Sequence, residues 1–285
     1  MKAAVLGSPI AHSLSPALHN AAYRALGLTG WSYGRHELLA ADLPAFLDGL
    51  DSDWRGLSLT MPLKEACLEV AAEVSAPARR AGAGNTLVRL PSGGWLADNT
   101  DIPGLVDAVR PGWDAGWRVA AVLGAGATAR SALLALCELG VTAVHVYARS
   151  RERSEEFRTW AAQAAPGVDV SSAPLDSWDS GAEPAVLSTL PGGALADVGV
   201  LHPRTGLLFD AVYAGWPTPL ARAAAAAGMS VIGGLDLLVH QAARQFALFT
   251  GHEAPLEAMF AAGRHALEPS SSGGVPGAVP PGPGA

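Results

Sequence analysis

The chain has 285 residues, 49% of them hydrophobic and 16% charged, a composition that buries a core and excludes both a disordered protein and a small scaffold stapled by disulfides. With 19 Lys plus Arg against 26 Asp plus Glu the formal net charge is -7, so no overall positive field draws the chain to nucleic acid or anionic lipid, and any anion site must be local. The cysteines, Cys67 and Cys137, stand alone without metal spacing and read as buried thiols of a reducing compartment, and no apolar stretch reaches the ~20 residues of a membrane helix.

An apolar run over 2–6 predicts the first strand and is too short for a signal peptide, so a soluble cytoplasmic protein that binds neither membrane nor metal is expected. The run ends in Gly7-Ser8-Pro9-Ile10-Ala11-His12-Ser13-Leu14-Ser15-Pro16. Ser15 before Pro16 reads as the N-cap of a helix over 15–25. Capping leaves Ser13 unexplained, and paired hydroxyls beside a helix N-terminus suit a carboxylate. A strand over 31–37, a helix over 43–50 and a strand over 56–60 follow. The last of these leads through Thr60-Met61-Pro62-Leu63-Lys64-Glu65, where Pro62 opens a helix. Lys64 and Lys2 are the only lysines of this Arg-rich chain, and a cation in a first helical turn opposes the helix dipole. Lys64 is therefore either a solvated side chain or a functional one. Gly82-Ala83-Gly84-Asn85-Thr86-Leu87, a hairpin of 85–90 and 95–98, and Asp98-Asn99-Thr100-Asp101 read by themselves as turn and cap residues.

A second unit begins after Trp117. Val119 to Leu123 is apolar throughout, as in a strand buried on both faces, and Gly124-Ala125-Gly126-Ala127-Thr128-Ala129 leads into a helix over 130–139. A G-x-G-x-x-G/A pattern between strand and helix is the context of a dinucleotide loop: Gly124 for the tight turn, Gly126 for close approach of a pyrophosphate, Ala129 for helix packing. The strand over 141–147 ends in Ala148-Arg149-Ser150-Arg151-Glu152-Arg153, with guanidiniums where an NAD enzyme carries a carboxylate, which favours the 2'-phosphate of NADP. Further strands over 185–188, 207–211 and 230–232 and helices over 235–250 and 255–267 complete an α/β pattern. The Pro, Gly, Ser and Ala segment over 269–285 is expected to be a disordered tail.

Taken together, these stretches resemble the shikimate dehydrogenase family, in order over nearly the whole chain before the tail. Gly7 to Pro16 is similar to the family's G-x-P-I-x-H-S-x-S-P segment, Thr60 to Glu65 to its T-x-P-x-K-E, Ala81 to Thr86 to its A-G-x-x-N-T, and Asp98 to Asp101 to its D-N-T-D. Phe209 to Tyr213 and Gly233 to Ala242 fit its Y-D-x-x-Y and G-x-x-M-L-x-x-Q-A segments, and Ala148-Arg149-Ser150 stands where the family has N-R-T. The resemblance implies two domains, an N-terminal α/β substrate domain and a Rossmann-type, doubly wound NADP-binding domain. The substrate domain would span 1–101, completed by the helices of 236–268, and the cofactor domain 102–235. It implies NADPH-dependent, reversible reduction of 3-dehydroshikimate to shikimate, with Lys64 and Asp101 as the catalytic pair. Ser13, Ser15 and Tyr213 would hold the carboxylate, and Thr60, Asn85, Asp101 and Gln241 the ring hydroxyls. Gly124, Ala125, Gly126, Ala127, Thr128, Ala129, Arg130, Arg149, Ser150, Arg153, Ser188, Thr189, Val212 and Gly234 would bind NADP. A quinate or quinate/shikimate dehydrogenase is the near alternative. An idle NADP-binding sensor or pathway scaffold is the distant one, and the paired serines answer poorly to a methylenetetrahydrofolate dehydrogenase. Monomer and homodimer both remain open.

Overall fold

The computed structural model describes residues 1–179, 183–195, 201 and 205–268; the expected tail over 269–285 lies outside the described residues. The first unit comprises β1 (Lys2–Gly7), α1 (Ser15–Ala25), β2 (Ser32–Glu37), α2 (Leu43–Asp48), β3 (Trp54–Leu59), α3 (Leu63–Val70), β4 (Glu73–Val74), α4 (Ala76–Ala81), β5 (Thr86–Arg89) and β6 (Trp95–Asp98). Its strands form a mixed sheet in the order β2-β1-β3-β5-β6-β4. β1 runs parallel to both β2 and β3, and β5 pairs antiparallel with β3 and β6. Ser58 faces Thr86 across β3 and β5, and Thr86 faces Asp98 across β5 and β6, so Thr60, Asn85 and Asn99 leave the sheet at one end.

The chain then enters α5 (Asp101–Val109) and the second unit: β7 (Val119–Leu123), α6 (Ala127–Glu138), β8 (Ala143–Ala148), α7 (Arg151–Ala164), β9 (Asp169–Pro174), β10 (Ala185–Ser188), β11 (Leu207–Asp210), α8 (Pro219–Ala226) and β12 (Ser230–Gly233). All six strands are parallel, in the order β12-β11-β10-β7-β8-β9. In order of appearance this is the 3-2-1-4-5-6 arrangement of a dinucleotide fold, whose switch point lies between β7 and β10. The apolar run of β7 is buried on both faces as expected, and Leu133 and Phe209 are among the fully enclosed side chains of the core it belongs to.

α9 (Gly234–Thr250) and α10 (Leu256–Leu267) return to the first sheet, where α10 packs on α1 and α9 packs on β3, β5 and α5. Val239, Phe246 and Phe249 of α9 share a core with Leu18 and Tyr23 of α1 and with Tyr33 of β2. Close approach is built into the sequence here: a Cβ on Gly56 would meet the Phe249 ring at 2.0 Å, and one on Gly104 would meet Gln241 N at 2.9 Å.

Several expectations change. Leu14 rather than Ser15 occupies the N-cap of α1, so Ser15 is the first helical residue and its side chain caps nothing. Asp101 opens a helix rather than ending a turn; Pro103 falls in its first turn, where no intrahelical donor is needed. The strands β4 and β9 and the helices α4 and α8 were not evident in sequence. β9 is a largely polar edge strand, Asp-Val-Ser-Ser-Ala-Pro, without an apolar period. Cys67 is buried as expected, but Cys137 is partly exposed.

Candidate active site

The end of the first sheet and the switch point of the second face each other across a cleft of about 280 Å³. Ser13, Ser15, Thr60, Lys64, Asn85, Asp101, Tyr213 and Gln241 all line it, together with Thr128 of the glycine loop and Gly234. These residues come from distant parts of the chain, and the sheet order described above is what brings them together.

Lys64, in the first turn of α3, donates from Nζ to Asp101 Oδ2 at 2.7 Å, with both side chains mostly enclosed (18% and 8% exposed). The ion pair offsets the unfavourable position of a cation at the N-terminal end of α3, while Asp101 sits favourably in the first turn of α5. The other carboxylate oxygen, Oδ1, accepts from Asn85 Nδ2 at 2.8 Å. Asn85 is itself oriented, because its Oδ1 accepts from the Thr100 backbone N–H at 2.8 Å, a group that can only donate. Gln241 Nε2 donates to the Leu238 carbonyl at 2.8 Å and its Oε1 receives Asn85 Nδ2 at 3.3 Å. Ser13 Oγ accepts weakly from Ser15 N–H at 3.4 Å, which leaves the Ser13 hydroxyl proton free to donate into the cleft.

Tyr213 stands on the loop after β11, where burial pushes its phenol above the ordinary range. Asp210, at the end of that strand, staples the loop: it accepts from Thr218 Oγ1 at 2.7 Å and from Val212 N–H at 3.3 Å. Burial raises the Asp210 carboxyl, and the Thr218 hydroxyl, the Val212 amide and Ser188 oppose the shift. Ser188 and Val212, both expected to bind cofactor, flank this staple in a small crevice.

The glycine loop is built as a cradle. Gly124 adopts φ +113°, and a Cβ there would meet Thr189 Oγ1 at 2.5 Å, while the space around Gly126 is open to 4 Å. Thr189 in turn donates to the Leu123 carbonyl at 3.0 Å. α6 starts at Ala127 with Gly126 as its N-cap and no side chain on its first amides, a donor set suited to a pyrophosphate. Ala125, Ala127 and Thr128 form the crest, whereas Ala129 is fully buried and serves helix packing as expected. A Cβ on Gly234 would meet the Ala211 carbonyl at 2.0 Å, so only glycine lets α9 begin against that loop. The residues present therefore fit a dinucleotide.

At the end of β8 the arginines take different surroundings. Arg149 lines a groove of about 360 Å³ with Arg151 and Arg158. Ser150 is the N-cap of α7, accepting from Arg153 N–H at 3.2 Å, and the Arg153 side chain is exposed outside that groove. Arg130 is not on the loop crest: its guanidinium lies 5.6 Å over the Trp160 ring and reaches Glu65 at 3.2 Å, bridging the two units. Trp160 donates to the Arg80 carbonyl at 3.0 Å across the same seam.

Sequence reasoning passed over Ser58, Gln245, His12 and Arg158, although the first three line the cleft. For Gln245 a signal existed: it lies four residues after Gln241, on the same face of a largely apolar helix.

Comparison with known proteins accords with this site. Residues 5–87 match the family described as "Shikimate dehydrogenase substrate binding domain", and residues 234–262 the "Shikimate 5'-dehydrogenase C-terminal domain". A shikimate dehydrogenase (NADP(+)) of Synechococcus sp. (strain JA-3-3Ab) is 37% identical over 278 residues, covering 92% of this chain and 93% of that protein. The crystal structure of Mycobacterium tuberculosis shikimate dehydrogenase is 44% identical with a TM-score of 0.81, covering 93% of this chain and 99% of the other. Shikimate 5-dehydrogenase of Thermus thermophilus, solved in complex with NADP(H) and shikimate, has a TM-score of 0.82 at 34% identity over 94% of this chain and 100% of the other. Similarity of this degree, sustained over nearly the full length of both partners, turns the resemblance of the strand-end motifs into kinship: the chain belongs to the shikimate dehydrogenase (NADP(+)) family.

Proposed function

We propose that the protein catalyses the reversible, NADPH-dependent reduction of 3-dehydroshikimate to shikimate, a step toward chorismate and the aromatic amino acids. Residues 1–101 with the helices of 236–268 serve as the substrate domain and residues 102–235 as the cofactor domain. The observation that carries this reading is the 2.7 Å contact of Lys64 with Asp101 inside a cleft that also holds Ser13, Ser15 and Gly234.

The nicotinamide, when bound, supplies or takes the hydride, so the chain's own task is to hold the reacting carbon and manage charge and proton on its oxygen. Ser13, Ser15 and Tyr213 hold the carboxylate through hydroxyl donors, and Thr60, Asn85 and Gln241 hold the ring hydroxyls. Lys64 keeps one ammonium proton on Asp101 and has two others to aim at the substrate oxygen. In reduction the ammonium stabilises the growing negative charge and delivers the proton; in oxidation the neutral amine removes it. Asp101, held by Asn85, aims the amine. Arg149 and the loop from Gly124 to Thr128 hold the phosphates of the cofactor.

Every residue invoked comes from one chain, so a monomer and a homodimer both satisfy the site, and free cysteines accord with the cytoplasm. The test is NADPH absorbance with shikimate plus NADP, beside quinate and NAD in all combinations. Turnover is expected to be fastest with shikimate and NADP; faster turnover with quinate and NAD would reassign the protein to quinate oxidation.

A further inference from the structure

We propose that Ser58 is a specificity-determining residue of the cleft, a wall position that accepts hydrogen bonds and has none to give. The inference rests on the reading above, and it follows from donor and acceptor arithmetic. Gln245 Nε2 lies 3.0 Å from the Asn85 carbonyl and 3.0 Å from Thr86 Oγ1. A carbonyl can only accept, so the amide cannot be reversed, and Gln245 Oε1 must face Ser58. Ser58 Oγ, 2.6 Å from that oxygen, therefore spends its single proton on Gln245. Tyr33 Oη, 2.5 Å from Ser58 Oγ, must in turn be the donor to it.

Ser58, Gln245 and Tyr33 are all nearly fully enclosed, at 4%, 1% and 4% exposure, so no solvent exchange relaxes this order. Tyr33 is further locked by its ring, which stacks on His19 with centroids 4.0 Å apart. Ser58 lines the cleft with one lone pair unclaimed. A ligand group resting there is welcome if it donates, as a ring hydroxyl does, and is repelled if it is a carboxylate or carbonyl oxygen. The hydroxyl of Ser13 offers a proton and Ser58 offers none, so the cleft has a built-in polarity that admits a hydroxylated ring acid in one orientation.

The experiment compares binding of shikimate with analogues in which the C4 or the C5 hydroxyl is replaced by fluorine, similar in size but unable to donate. Inhibition or Michaelis constants are measured on the wild type, Ser58→Ala and Tyr33→Phe. In the wild type the fluorine at one of these carbons is expected to weaken binding by roughly 10- to 100-fold. Ser58→Ala should shrink that ratio to within about 3-fold, while Tyr33→Phe, which leaves the Ser58 proton on Gln245, should preserve it. Where Ser58→Ala does not fold, Ser58→Cys makes the same comparison with a weak acceptor. A hydroxyl-to-fluorine ratio unchanged by loss of the Ser58 oxygen at both carbons would overturn the role of Ser58, whereas failure of the wild type to oxidise shikimate would overturn the proposed function instead.

Discussion

Two side chains separate the chemistry from the binding. Lys64 alone in the cleft combines a mobile proton with contact to a fixed carboxylate, so Lys64→Ala should lower kcat by roughly 100- to 10,000-fold with little change in KM for shikimate, read by steady-state kinetics. Equal losses in both constants would make Lys64 a binding residue. Ser13 lines the same cleft with its hydroxyl proton free to donate, and Ser13→Ala should raise KM for shikimate roughly 10-fold while kcat holds, since one hydrogen bond to a charged group is lost. At this scale the sequence was informative: a lone interior lysine, a serine that capping could not explain and an arginine-rich strand end all marked residues that line the cleft or the neighbouring groove. The chain order of those motifs carried the pairing of Lys64 with Asp101. Ser58 escaped notice because one small polar residue in an apolar strand has no pattern; its meaning comes from Tyr33 and Gln245, which are distant in the chain and adjacent in space.

The same distinction holds for elements. The glycine loop was legible because its constraints are local: a positive φ and an uncapped helix start are properties of a few consecutive residues. The structure separates its two glycines. Gly124→Ala would strain the φ of +113° and press on Thr189, so a stability loss of about 1–3 kcal/mol is expected in thermal melts. Gly126→Ala meets no protein atom within 4 Å and should leave stability within about 0.5 kcal/mol, yet raise KM for NADP at least roughly 10-fold by filling the cradle. Equal melting losses in the two variants would contradict this assignment. Arg130 makes contacts that its position in the sequence did not announce. Adjacency to the loop marked it for the cofactor, but at the fourth residue of α6 its side chain turns to Glu65 and Trp160. A position along a helix does not tell which groove a long side chain enters: the third turn of α7 brings Arg158 into the groove beside Arg149, while Arg153 stays exposed outside it.

The whole molecule sets properties that no single element has. His19 belongs to α1, but it is fully buried only because β2 stacks Tyr33 against it and α9 brings Phe249 within 6.0 Å. Burial lowers its pKa from 6.5 to about 3, against an opposing contribution from Gln245. The native state thus holds His19 neutral where the unfolded chain protonates it. Its contribution to stability is complete above pH 6.5 and is lost as the pH falls toward 3, with a slope of up to about 1.4 kcal/mol per pH unit. Urea denaturation at pH 7.5, 6.0 and 5.0 should show stability falling with acid in the wild type and a shallower fall in His19→Phe, which keeps the stacked ring. Parallel curves would place the acid sensitivity elsewhere.

The sequence by itself determined the α/β class, the parallel strands around the glycine loop, the preference for a phosphate-bearing cofactor and eight of the residues that meet in the cleft, from Ser13 to Gln241, though not Ser58 or Gln245. Each of these rests on short stretches whose backbone and polarity requirements are satisfied locally. Only the tertiary structure decided which of those residues touch, which arginines line the groove at the end of β8 and which oxygen of the wall must accept. Contact distance and proton direction are properties of pairs, and the partners, Lys64 with Asp101 and Ser58 with Gln245, are brought together by sheet order and by the return of α9 to the first sheet.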